Sequence, residues 1–371
     1  MSNTARIISI DALRGADMLL LAGGAAVLRE LTLRCSSETA AAPILHQLTH
    51  AAWGEPLTCW DMVMPLFLFI VGASMPFAFA KYREQLPLGR ILWRVGRRCV
   101  LLFVLGMLVQ GHLATAVPER MSLWCNTLQA IAAGYLIAAL FLLWGSVRAQ
   151  LIACGSCLLL YWAALRFIPY AESPAGLFLP NDNLAIWIDR TLQGHWQDGT
   201  PYSWILTSLS FAALTLMGVL AGHLLRRREW GRRTVLPLLG ASALCLVGGQ
   251  LLALDTPIIK HIYTTSMVLW SGGWCLALLA LFHLLFDLTP RLAPLAYPLR
   301  IFGSNAILAY LLTQTPGLHG LTLWQSLCYP LLGGLSAHAG TAAPLVHQTL
   351  SLALLYLLLH YLYQHKALLR I

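Results

Sequence analysis

Charge is what this chain has least of. Only 11% of its 371 residues are Asp, Glu, Lys or Arg, against about 25% in a soluble domain, which argues against an ordinary water-soluble fold. Several signatures are missing as well. There is no Walker A loop, no G-x-S-x-G elbow and no Rossmann glycine fingerprint, so ATP hydrolysis, a serine nucleophile and dinucleotide chemistry have no support. No internal repeat or low-complexity tract stands out, and a repeat-built transporter gains nothing from the pattern. The first residues are short and polar, and Asp11 and Arg14 interrupt the apolar stretch behind them, so no cleavable signal peptide is expected. The nine cysteines are an odd number, mostly inside apolar runs. Cys154 and Cys157 form a C-x-x-C within ACGSCLLLYW, with no second pair or histidine cluster beside it. Small core residues are the better reading there than a metal or redox centre, and no metal is expected.

What is there in abundance is apolar sequence. Hydrophobic residues make up 58% and mean hydropathy is +0.69. The expected fold is all-α, a polytopic transmembrane helical bundle forming a single domain over residues 1–371 and embedded in a lipid bilayer. With about 20 residues per crossing, about ten spans are expected, near 8–29, 59–80, 95–115, 124–144, 149–168, 203–225, 234–254, 262–286, 298–316 and 344–364. The net charge of +9 invites a nucleic-acid reading, but its distribution argues for no nucleic-acid partner. The basic residues gather in short loops: Lys81, Arg83, Arg90, Arg94, Arg97 and Arg98, then Arg226 to Arg228 with Arg232 and Arg233, then Arg148, Arg291, Arg300, Lys366 and Arg370. All of these fall on one side when both termini are cytoplasmic, as the positive-inside rule requires. Residues 317–343 could add a re-entrant segment or one more crossing.

The outer side then keeps three long loops, 30–58, 169–202 and 317–343. They are rich in aromatic and polar residues that suit a small polar ligand such as a sugar, although Trp and Tyr also anchor any membrane interface. Within HAAWGEPLTCWDMVMPLFLFIVGASMP at 50–76, His50 and Asp61 stand at the mouth of an apolar helix. Their polarity is costly there unless used. An imidazole can act as general base or transient acyl carrier near neutral pH, and Asp61 can orient it. His46 lies one helical turn before His50, but no third metal ligand has suitable spacing. Asp11 and Arg14 either pair to orient the first helix or line a polar cavity. Asn126, Gln129, His112, Lys260, His261 and Asn305 serve either as interhelical glue or as site lining, and Lys260 can snorkel to the interface. Arg90, Arg94, Arg97 and Arg98 either carry the topology signal alone or attract a phosphorylated cytoplasmic donor.

Three stretches carry a resemblance: RIISIDALRG at 6–15, H-x-x-W-G followed by WDMVMPLFLFIVGAS at 50–74, and TLQAIAAGY at 127–135. Weaker echoes are WIDRTLQG, MGVLAGHLL, PIIKHIYTTS and GSNAILAY. In order and spacing the chain resembles the heparan-α-glucosaminide N-acetyltransferase family and its bacterial relatives. It differs in carrying Ala130 where family members often have Arg, and TPYSW at 200–204 in place of an acidic D-P-E-G element. The resemblance implies an integral-membrane acyltransferase that moves an acetyl group from cytoplasmic acetyl-CoA to an amino sugar or glycan acceptor on the far side. It also implies that His50 is the catalytic histidine. Asp11, Arg14, Arg94, Arg98, Asn126, Gln129, Lys260 and Asn305 are the candidate substrate- and cofactor-binding residues. A bacterial inner membrane and a homodimer are compatible with this reading. A transporter or flippase for a sugar or lipid-linked sugar, and a sensor or assembly subunit with a decayed site, remain the alternatives.

Overall fold

The computed structural model describes residues 7–113 and 117–369. Arg6 and Arg370 lie outside the described residues, as does the side chain of Arg228. The protein is an all-α polytopic bundle, 76% helical with no strand among the described residues. Among the described residues, seven helices are long and apolar enough to cross a membrane: Trp60–Gln85, Thr127–Trp144, Val147–Phe167, Ser208–Arg226, Gly231–Leu252, Thr265–Asp287 and Gly340–Gln364. Each overlaps a span expected from the sequence. The expected crossing at 298–316 is instead a bent pair, Ala293–Ser304 and Ala306–Gln314, which meet at 61° and bring the total to eight if counted as one.

The remaining two of the ten expected crossings are helical but too charged to count. Residues 8–35 run as helix Ile8–Leu19, a π turn Leu20–Gly24 and helix Ala25–Cys35. Gly23 adopts φ 137° at the break, a conformation open to glycine and costly to residues with a Cβ. Charges at Arg14, Asp17 and Arg29 leave only Met18–Leu28 uncharged. Helix Leu88–Val109 carries Arg90, Arg94, Arg97 and Arg98 in its first half, which leaves only Cys99–Val109 apolar. Residues 317–343 hold helix Leu323–Ala337, well short of the length needed to span a bilayer. All nine cysteines are free.

The chain divides into two compact units. The first comprises residues 1–50, 58–63 and 282–370. In it, helix Ile8–Leu19 packs along helix Tyr297–Ser304. A Cβ on Gly15 would strike the Leu299 carbonyl, and one on Gly303 would strike the Asp11 carbonyl, so the two backbones touch where only glycine permits. The Asp287 carboxylate accepts the Ile8 and Ser9 N–H groups at 2.9 and 3.3 Å, satisfying donors that the first turn of a helix leaves unpaired. The second unit comprises residues 51–57 and 64–281. Its centre is helix Ser208–Arg226, buried on most of its faces as an apolar helix without a polar stripe must be. Helices Thr127–Trp144 and Val147–Phe167 pack against it. Gly218 lies so close to the Phe69 carbonyl, and Gly72 to that of Thr215, that helix Val63–Gln85 is held against it in the same small-residue manner.

Candidate functional site

The best-formed candidate site lies in the first unit, in the segment that leads into the apolar helix Trp60–Gln85. Residues Thr58-Cys59-Trp60-Asp61 start that helix. The Asp61 N–H donates to the Thr58 hydroxyl at 3.3 Å, and the Thr58 N–H donates to Asp61 Oδ2 at 3.1 Å. This reciprocal pairing is a capping box, which settles the first amide donors of a helix. The Thr58 hydroxyl also lies 2.7 Å from the Thr49 carbonyl, and the Cys59 N–H donates to Gln47 Oε1 at 3.0 Å. Those two contacts tie the end of helix Glu38–Gln47 and the residues after it to the helix start.

One oxygen of Asp61 is left for the imidazole. Asp61 Oδ1 lies 3.0 Å from His50 Nδ1, with the carboxylate side chain 0% exposed and the imidazole 61% exposed. On the other side of the ring, the Trp60 indole Nε1–H donates to His50 Nε2 at 3.3 Å. An indole N–H only donates, so Nε2 bears the lone pair, and in the neutral ring the proton sits on Nδ1, where it is donated to Asp61. The carboxylate thus selects the tautomer, and Nε2 is the basic and nucleophilic atom. His46 is exposed in the last turn of helix Glu38–Gln47. Among the described residues no three His, Cys, Asp or Glu side chains converge as metal ligands.

The other candidate residues are distributed over both units. In the first unit Asp11 and Arg14 form an ion pair at 3.6 Å on one face of their helix. Asn305 stands at the break between the bent helices, where its Oδ1 accepts the Leu369 N–H at 2.9 Å and its Nδ2 donates to the Ala367 carbonyl at 3.4 Å. That amide binds the chain's own tail as a peptide group would.

In the second unit the Arg94 guanidinium lies over the Tyr82 ring at 5.2 Å and that of Arg98 over Tyr135 at 4.4 Å, cation–π contacts that hold both groups. Asn126 and Gln129 form a second capping box, at helix Thr127–Trp144. Gln129 Oε1 accepts the Cys125 and Asn126 N–H groups, and its amide donates to the Leu123 carbonyl at 2.7 Å. Asn126 Nδ2 donates to Gln110 Oε1 at 2.6 Å. These amides hold a loop to a helix start. Lys260 is buried.

Two carboxylates that the sequence did not single out are deeply engaged. Asp189, in helix Leu184–Gln193, accepts the Trp204 and Ile205 N–H groups at 2.6 and 3.0 Å. Burial pushes its carboxyl up to about 7 against the pull of those two donors. Asp287, the helix cap described above, also lies 2.9 Å from His283 Nδ1. The i, i+4 spacing of His283 and Asp287 inside an apolar run was the available signal for this pair. For the first site the T-x-x-D of Thr58 to Asp61 was the signal for the capping box.

Residues 6–189 match a protein family described as a domain of unknown function, DUF5009. That stretch is just under half of the chain. It contains His50 and Asp61 together with Asp11, Arg14, Arg94, Arg98, Asn126 and Gln129, and it stops short of Lys260 and Asn305. No curated protein matches the chain.

Proposed function

We propose that this multi-pass membrane protein is an acetyltransferase that moves an acetyl group from cytoplasmic acetyl-CoA to an amino sugar or similar acceptor at the outer face of a bacterial inner membrane. The observation that carries the reading is the polarised imidazole of His50. Nδ1–H is fixed on a buried carboxylate, and Nε2 stands on an exposed ring at the head of an apolar helix. The resemblance at 6–15, 50–74 and 127–135 supports the reaction class.

Two routes use the same atom. In one, Nε2 attacks the thioester carbonyl, an N–C bond forms, and the CoA thiolate leaves. The acceptor amine then attacks the acetyl carbonyl, the N–C bond to the imidazole breaks, and the amine proton passes to the thiolate. In the other, Nε2 takes the amine proton while the amine attacks the thioester directly, the C–S bond breaks and the CoA thiolate leaves. The hydrocarbon layer is about 30 Å thick, so either the pantetheine arm threads into the bundle or an enzyme group carries the acetyl onward to an outer acceptor. Arg94 and Arg98 are suited to the phosphates of the donor because they belong to the basic cluster in the first half of helix Leu88–Val109.

The test is release of CoA by the purified protein offered acetyl-CoA with a panel of amino sugars. Release that requires a sugar supports the transferase and names the acceptor class. No release with any sugar, from folded protein, rejects it.

A second reading, transport of a sugar or lipid-linked sugar, is favoured by one observation. The helix broken by 61° at Asn305 belongs to the kind of discontinuous segment that transporters use to expose backbone groups to a substrate. Sugar flux into proteoliposomes without acetyl-CoA would select it.

A further inference from the structure

Trp60 occupies the one atom of the site that chemistry needs. Its indole Nε1–H points at His50 Nε2 from 3.3 Å, with the two rings edge to face at 63° and centroids 6.1 Å apart. Trp60 is half-buried and belongs to the turn Trp60–Met62. The residue after it is Asp61, which holds the opposite nitrogen of the same imidazole. Adjacent residues of one turn therefore grip both ends of the ring, one accepting at Nδ1 and one donating at Nε2. A lone pair engaged in a hydrogen bond is a weaker nucleophile and base until the donor leaves. A hydrogen bond of this kind at a half-exposed site is also weak enough to exchange for another.

We infer that Trp60 is a positioning residue that masks Nε2 of His50 until an acceptor amine displaces the indole N–H, so that the imidazole does not react with an electrophile in the acceptor's absence. The inference rests on the reading of His50 as the reactive group. It adds what keeps that group from passing acetyl to water. With the indole in place, Nε2 is silent and the ring is fixed in the Nδ1–H tautomer. With the indole turned away, Nε2 faces the acceptor and Asp61 still holds the ring. The mask assigns to Trp60 a specificity role, discrimination between an amine and water, that the carboxylate alone does not provide.

The experiment uses diethyl pyrocarbonate on the full-length protein and needs no acetyl-CoA. The imidazole Nε2 attacks one carbonyl of the reagent, forming an N–C bond, and monoethyl carbonate leaves and decays to ethanol and carbon dioxide. The ring proton passes to solvent. Mass spectrometry of the His50 and His46 peptides gives both rates from one sample, and exposed His46 serves as the internal control for reagent and fold.

In Trp60→Phe, which keeps an aromatic ring and removes the donor, His50 is expected to react roughly two- to tenfold faster than in the wild type, the range of one modest hydrogen bond. The His46 rate should not change. Trp60→Leu should give the same gain. Equal His50 rates in the wild type and both variants, with His46 steady, overturn the mask. A faster His46 would report loosening of the whole segment and overturn it as well.

CoA release without a sugar is the second readout. A rise in Trp60→Phe supports the mask, and a fall overturns it. If no form of the protein consumes acetyl-CoA, the transferase reading fails while the carbethoxylation rates still decide the mask.

Discussion

The first compact unit contains two histidine–aspartate pairs of nearly the same length, His50–Asp61 at 3.0 Å and His283–Asp287 at 2.9 Å. In both, the carboxylate meets Nδ1 and also closes a helix start. Asp61 belongs to the capping box of the helix Trp60–Gln85, and Asp287 receives the first N–H groups of helix Ile8–Leu19. They differ in the ring. The His50 side chain is 61% exposed and that of His283 is 10% exposed. A short distance between imidazole and carboxylate is therefore no sign of chemistry. What separates a reactive pair from a structural one is whether the second nitrogen can be reached.

The sharpest way to break this comparison is to remove each ring in turn. His50→Ala should lower acetyl transfer by about 10²–10⁴, the usual loss of a general base. It should also cost about 1–3 kcal/mol in thermal stability, because the buried Asp61 carboxylate loses this hydrogen bond. More than a tenth of wild-type transfer in the folded variant would end the assignment. Asp61→Asn keeps an oxygen for the helix cap but no longer enforces the Nδ1–H tautomer. Transfer should fall about 10–100-fold, the scale of a lost supporting partner, with a melting point close to wild type.

His283→Ala should differ in its effect on transfer. It removes a buried partner of Asp287, costs about 1–3 kcal/mol in stability, and leaves transfer per folded molecule unchanged. A normal melting point with abolished transfer would reverse the roles of the two pairs. A modest effect on both readouts is expected from Thr58→Val, which removes half of the capping box. About 1 kcal/mol should be lost, and transfer should drop only a few-fold, because the imidazole keeps its carboxylate.

The helical, membrane-embedded character was legible because it depends on composition and on the length of apolar runs, and neither needs tertiary context. Seven expected crossings are present as single apolar helices for that reason. The crossings expected at 8–29 and 95–115 overlap the helical segments 8–35 and 88–109, whose charges interrupt the apolar run. In the structure Arg14, Asp17 and Arg29, and Arg94, Arg97 and Arg98, are spread through them. Asn305 carried a helix signal on both sides. At the bend the Asn305 amide bonds residues more than sixty positions further on, a contact that no local pattern contains.

Within the site, His50 and Asp61 were legible as a pair because both stand beside a charge-free run. Trp60 was not, because a tryptophan before an apolar helix is the ordinary signature of a membrane interface, and only the folded chain shows where its N–H points. Asn126 and Gln129 were read as interhelical glue or site lining. An Asn followed three residues later by a Gln at the start of an apolar run also fits a helix start, and that is the use the fold makes of them.

The shared duty of Asp61 bears on how such a protein would decay over generations. On the proposed transferase reading, a lineage that no longer needs transfer loses the main reason to keep His50, whose ring is exposed. It cannot replace Asp61 as freely, because the start of the helix Trp60–Gln85 is built on that carboxylate. An aspartate preserved after its histidine has gone is the mark by which a retired descendant of this chain can be recognised.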